Sequence, residues 1–256
     1  RDKSGSARNA GNGNGPDLQV NNLNGLSTLK FDGSTQYLRV LNSSVFDFGK
    51  DGTVFFAAQG HNVGTWRSLI SKQGSSAGWS LRRINTEFGA FTVRGTSDWD
   101  DRPGGTTING PPHVWVLRKT EGRKAQWVDG NLEFQVVDTG EITPAPNDDL
   151  VLGARSLNGS IGSHANIDIA EVLIYDSALS DQSIHEVQGY LAHKWALTDT
   201  MPSSHPYKVS KPLFENRGEL SLSSPYSIVV DQNITIQLLT NRSVDQITAS
   251  NLPVGL

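Results

Sequence analysis

Three stretches of this sequence carry residue types suited to chemistry on a ligand. Ser97-Asp-Trp-Asp-Asp-Arg-Pro-Gly-Gly105 sets a large ring, Trp99, among the carboxylates of Asp98, Asp100 and Asp101 and the guanidinium of Arg102. Such a ring can stack on the C–H face of a sugar while its charged neighbours hydrogen-bond the hydroxyls. Trp66, in Asn62-Val-Gly-Thr-Trp-Arg67, is a second ring of this kind. The competing reading folds Trp99 back over the rim of the fold as packing, and exposure of the ring separates the two. Gly74-Ser-Ser-Ala-Gly78 has the spacing of a nucleophile elbow, but that turn needs a helix after it. Here Trp79-Ser-Leu-Arg-Arg-Ile84 continues as a strand, so a hairpin loop is expected. His185-Glu186 opens a zinc-protease pattern whose second histidine position holds Gly189, which leaves no ligand pair.

The elements that position these residues read as β-structure. Between Leu29 and about Tyr175, short runs such as Thr53 to Ala58, Trp79 to Ile84, Phe88 to Val93, Val114 to Leu117, Ala125 to Val128, Leu150 to Leu152 and Ile167 to Tyr175 are separated by Gly, Asn, Asp and Pro. Repeated strands at this spacing predict an antiparallel sandwich or barrel. Asp129-Gly130 is a two-residue hairpin turn, because glycine accepts the positive φ that such turns need. One helix follows: Ser180 caps it, Asp181 opposes the dipole, and Ile184, Val187, Leu191 and Trp195 recur with helical period. Met201 to Pro206 reads as a linker, and strands resume at Tyr226 and Ile234. Trp115, Trp127 and Trp195 sit in periodic segments as core residues, whereas Trp79 fits either core or surface.

Composition narrows the function classes. The chain has 256 residues, 26 Gly, 11 Pro and no cysteine. No apolar run approaches the ~20 residues of a membrane span, so no membrane insertion is expected, and a disulfide scaffold is excluded. A net charge of −4 gives no footprint for nucleic acid. The sequence opens at Arg1 without an export signal and reads as a piece of something longer.

Leu29-Lys-Phe-Asp-Gly-Ser34, Trp127-Val-Asp-Gly130, Ile169-Ala-Glu-Val-Leu-Ile-Tyr-Asp-Ser-Ala-Leu-Ser180 and Gly189-Tyr-Leu-Ala-His-Lys-Trp195 resemble the laminin-G-like, concanavalin A-like domains of bacterial modular secreted proteins. Ile247-Thr-Ala-Ser-Asn-Leu-Pro-Val-Gly-Leu256 is similar to part of a bacterial immunoglobulin-like module. The resemblance implies an all-β fold: a two-sheet antiparallel jelly-roll sandwich with one C-terminal helix over 1–200, a linker over 201–212, and a truncated immunoglobulin-like unit over 213–256. It also implies a secreted or cell-surface location beside other modules of one polypeptide.

Some retaining glycoside hydrolases of this fold carry Glu-Ile-Asp-Ile-x-Glu, with the first Glu as nucleophile. Here the stretch is Asn166-Ile-Asp-Ile-Ala-Glu171. An amide cannot form the glycosyl ester that a carboxylate forms, so no catalysis is expected. The resemblance further implies a structural Ca²⁺, carried over to Asp32 and Asp168, although many relatives have Asp where this chain has Ala170. The competing reading is a turn-forming Asp-Gly and a strand-end carboxylate. The expected function is noncatalytic binding of a glycan or cell-surface polysaccharide within an adhesin or polysaccharide-degrading protein. A structural or protein-interaction spacer is the alternative, and a glycoside hydrolase the third reading.

Overall fold

The structure is a computed structural model that describes residues 8–212 apart from 12–13, 86 and 95–98, with only the backbone at 94 and 99. The immunoglobulin-like reading of 213–256 lies outside the described residues. Along the chain come β1 (Asp17–Leu23), β2 (Leu26–Asp32), β3 (Leu38–Val40), β4 (Gly52–Gly60) and β5 (Arg67–Gln73). Then follow β6 (Gly78–Arg83), β7 (Phe88–Arg94), β8 (Trp99–Thr107), β9 (His113–Thr120), β10 (Arg123–Val128) and β11 (Asn131–Val137). The last are β12 (Leu150–Leu152), β13 (Arg155–Leu157), β14 (Ser160–Gly162), β15 (Asn166–Tyr175) and the helix α1 (Asp181–Lys194).

Two antiparallel sheets make a jelly-roll sandwich. One has seven strands in the order β1-β2-β15-β4-β9-β10-β11, the other six in the order β3-β12-β5-β6-β7-β8, and β13 and β14 form a separate hairpin. Strand β4 explains its own sequence. Val54, Phe56 and Ala58 enter the core between the sheets with Phe31, Ile70, Trp79, Leu81, Phe91 and Trp115. The alternate residues Phe55 and Ala57 meet Ile184, Val187 and Leu191 of α1 on the other side. A strand covered on both faces has no polar side to show, hence the unbroken apolar run.

Helix α1 starts where the sequence places it, with the Ser183 N–H donating to the Ser180 hydroxyl at 3.1 Å. Gly189 has a packing reason: a Cβ there would run into the Tyr207 side chain. That contact belongs to a segment expected to be a linker. Met201 and His205 are instead buried, at 3% and 6% exposure, so the chain to Pro212 packs as part of this unit. The Asp129-Gly130 turn has φ of 50° and 84°, as a tight hairpin between Val128 and Asn131 requires. Trp79 is a core residue, its Nε1 donating to the Phe46 carbonyl at 2.7 Å.

One expectation is corrected. The polar stretch read as a loop is strand β8, with Asp101 opposite Thr92 and Pro103 opposite Ala90. An edge strand tolerates what a central strand does not: proline's missing N–H faces outward, and charged side chains discourage pairing with another chain. Among the described residues no helix is long and apolar enough to cross a membrane.

Candidate functional site

The six-stranded sheet turns apolar residues inward and polar ones outward. Trp79, Leu81, Phe91 and Val93 enter the core, so strand alternation sends Ser80, Arg82 and Thr92 to the outer face. Ser71 is paired with Ser80, Ser80 with Thr92 and Thr92 with Asp101, which draws one polar row across four strands. Arg82 grips the end of this row. Its Nη2 donates to both oxygens of Asp101, at 2.8 and 3.0 Å, and its Nε donates to the Thr92 hydroxyl at 3.0 Å. The Thr92 hydroxyl donates in turn to Asp101. A bidentate pair of this kind fixes direction as well as charge.

Trp66 stands at the lip of this network. The Arg82 guanidinium carbon lies 5.5 Å from the centroid of its ring, yet Trp66 remains 51% exposed. Its φ is 61°. A bulky residue in the left-handed region is a costly local conformation, tolerated where the surroundings hold it and common at ligand clamps. The backbone strain and the exposed apolar ring occur in the same residue.

The β13–β14 hairpin lies along β5. Ser71 Oγ donates to the Ala154 carbonyl at 3.1 Å, and the Ser68 N–H donates to the Ser163 carbonyl at 3.0 Å. Arg155 is paired with Gly162, at the open end of the hairpin beside Ser163. Ser68 in turn is directly opposite Arg82. Arg155 is half-buried, and its Nε is out of contact with solvent without a hydrogen-bond partner. Burial pushes the pKa of this guanidinium down, and the charge of Arg82 adds to the effect.

The predicted binding residues do not form one cluster. Asp98 and the Trp99 side chain lie outside the described residues. Asp101 serves the outer face. Asp100 is opposite Val93, and its carboxylate sits 3.1 Å from the buried Lys124 ammonium and 2.9 Å from Arg102 Nε. Neighbouring carboxylates on a strand point to opposite faces, so Asp100 and Arg102 are separated from Asp101 and Trp66. Arg82, Thr92 and Arg155 are the members that motif reading missed. For Arg82 and Thr92 the signal was a polar residue at the outward parity of strands whose inward positions are apolar; Arg155, in the three-residue strand β13, carried no such signal.

A family profile described as the Concanavalin A-like lectin/glucanases superfamily matches residues 32–185, more than half of the sequence. The chain belongs to this superfamily. No curated protein sequence matches it. Among solved structures, the binding domain of Paraclostridial Mosquitocidal Protein 1 superposes with a TM-score of 0.59 at 12% identity, covering 73% of this chain and 48% of that one. The chain thus spans about half the length of that domain. Domain 4 of AbnA, a GH43 extracellular arabinanase from Geobacillus stearothermophilus solved with arabinotriose, gives 0.51 at 15% identity, over 66% of this chain and 79% of that one. The binding domain of botulinum neurotoxin DC, solved with rat synaptotagmin II, gives 0.52 at 14% identity, over 73% and 48%. These likenesses establish the shared fold.

Within this concanavalin A-like chain, the stretch with the glycosidase spacing lies in β15 of the helix-covered sheet. Ala170 bulges out of the β15–β4 ladder, and Glu171 is opposite Ala57, which packs toward α1. The Glu171 carboxylate accepts from Trp195 Nε1 at 2.8 Å and from the Tyr190 hydroxyl at 3.3 Å, and Lys194 Nζ lies 3.0 Å away. It holds the helix to the sheet.

The two carboxylates expected to hold calcium already have partners within the protein. Asp32 Oδ1 accepts the N–H groups of Ser34, Thr35 and Gln36 at 2.8–2.9 Å, and Oδ2 accepts the Thr35 hydroxyl at 2.9 Å. Desolvation alone would raise this carboxyl's pKa, but those donors together hold it well below the usual range. Asp168 Oδ2 accepts from Asn22 at 3.2 Å and lies 3.0 Å from His61 Nε2, which leaves only its buried Oδ1 without a partner. Lys30 is directly opposite Asp168, on the same face. Calcium takes six to eight oxygens. Among the described residues no group of three or more His, Asp or Glu side chains converges on a point. Asp32 and Asp168 therefore do not fit the ion, and Asp32 is a turn staple.

Proposed function

We propose that this chain is a noncatalytic carbohydrate-binding module of a larger extracellular protein. The observation that carries the reading is Trp66: an apolar ring held open to solvent by a left-handed backbone, beside the Arg82–Asp101 pair. A sugar presents C–H groups to such a ring and hydroxyls to such charges. Trp99, two residues before Asp101 in β8, is included in the proposal. The complex of AbnA domain 4 with arabinotriose supports it, because a domain of the same fold binds an oligosaccharide there. The helix-bound Glu171 supports a noncatalytic role. A glycan array probed with the isolated chain tests the proposal. Retention of one glycan class is expected, whereas an array without signal, together with capture of a protein, would favour the interaction module that the synaptotagmin complex exemplifies.

A further inference from the structure

Beside the outer face of the six-stranded sheet, on the β13–β14 hairpin, stands a guanidinium without a charge partner among the described residues. Arg82 is neutralised by Asp101 through two hydrogen bonds. Arg155 has no such counterpart. Its buried Nε lacks a partner, and none of the ion pairs among the described residues includes it. A half-buried guanidinium has lost part of its hydration, and no carboxylate among the described residues compensates that loss. Its neighbours make the position specific. Arg155 is paired with Gly162, the adjacent Ser163 carbonyl is held by Ser68, and Ser68 is opposite Arg82, whose guanidinium reaches the Trp66 ring. The chain as a whole is acidic, at −4, so a general basic surface does not explain this spot.

Resting on the carbohydrate reading above, we infer that the site takes an acidic glycan, with a carboxylate or sulfate ester of the sugar seated on Arg155 while the ring of that or the next residue stacks on Trp66. A guanidinium presents parallel N–H donors that match either oxyanion. Asp101, with 23% of its side chain exposed, offers an acceptor to the flanking hydroxyls.

The test is affinity electrophoresis and calorimetry of the whole chain with four probes: polygalacturonate for carboxylate, dextran sulfate for sulfate ester, and arabinan and dextran as neutral controls. Expected are retention by one acidic polymer, weakening of that retention as salt rises from 50 to about 500 mM, and an affinity loss of tenfold or more in Arg155→Gln. Arg155→Lys is expected to recover part of it, and the melting temperature is expected to stay unchanged in both variants. Preference between the two acidic polymers assigns the oxyanion. Neutral polymers bound as well as acidic ones, with Arg155→Gln unaffected, would overturn the acidic specificity and leave the carbohydrate reading standing. Binding to none of the four, nor to any acidic glycan on an array, would overturn both. Acidic polymers bound equally by wild type and Arg155→Gln, with the loss appearing in Arg67→Gln or Lys208→Gln instead, would reject this site.

Discussion

The Trp195 indole N–H donates a 2.8 Å hydrogen bond to the Glu171 carboxylate, joining the C-terminal cap of α1 to β15. The same carboxylate meets Lys194 at 3.0 Å with only 12% of its side chain exposed. Glu171 belongs to the best catalytic-looking stretch of the sequence, and this contact gives it a structural task.

Glu171→Gln should therefore lower stability rather than activity. Removing the carboxylate leaves Lys194 without its charge partner and weakens two hydrogen bonds, a loss of about 1–3 kcal/mol. Urea denaturation is expected to show that decrease, with no release of reducing ends from laminarin or agarose by either protein. Reducing-end release that disappears in the variant would reverse the assignment.

Asp32 gives a prediction about both calcium and pH. Its folded pKa is depressed, so its contribution is complete above the unfolded carboxylate value near 4 and is lost as the pH falls below it. Asp32→Ala should lower the melting temperature at pH 7, by about 1 kcal/mol of stability as for a lost cap. The decrease should be the same in EDTA and in millimolar Ca²⁺. A decrease seen only with calcium would restore Asp32 as a ligand.

His205 makes the unit sensitive to mild acid. Burial, reinforced by the nearby His185, pushes its pKa down to about 4. Its Nδ1 accepts the Tyr207 N–H at 3.2 Å, its ring packs 5.1 Å from that of His185, and it lies against Gly130. The neutral form is favoured on folding, so this stabilisation is complete above the unfolded value near 6.5 and is lost as the pH falls from there toward 4. The slope is about 1.4 kcal/mol per pH unit for one proton. Melting followed from pH 7 to 4.5 should fall less steeply in His205→Gln. Parallel profiles would show that His205 is not the source of the acid sensitivity.

The sandwich was legible because its signals are local. Asp129-Gly130 can make only a tight turn, the β4 run is apolar on both faces, and the Ser180 cap opens a periodic helix. Strand β8 was hidden by Pro103, Gly104 and Gly105, residues that argue against a strand unless it is at an edge, and edge position is a tertiary fact. The site was half legible. Trp66 stands out as a ring in a turn, but Arg82 and Arg155 are 73 positions apart in the numbering and meet only because β13 folds over β5. Asp100, Asp101 and Arg102 read as one cluster because adjacency in sequence hides the alternation of faces along a strand.

Binding of a glycan, as proposed, depends first on Trp66 as the stacking platform. Trp66→Ala removes a half-exposed ring and one exposed cation–π contact worth about 0.5–1 kcal/mol. Trp66→Gly also relieves the positive φ, which costs a non-glycine residue roughly 1–2 kcal/mol. Calorimetric titration with the array-selected glycan, paired with thermal melting of the three proteins, measures both consequences. Expected are at least a tenfold loss of affinity in both variants, a melting temperature in Trp66→Ala within a few degrees of wild type, and one in Trp66→Gly that is equal or higher. Full affinity in both variants, or collapse of the fold in Trp66→Ala, would contradict that role of Trp66.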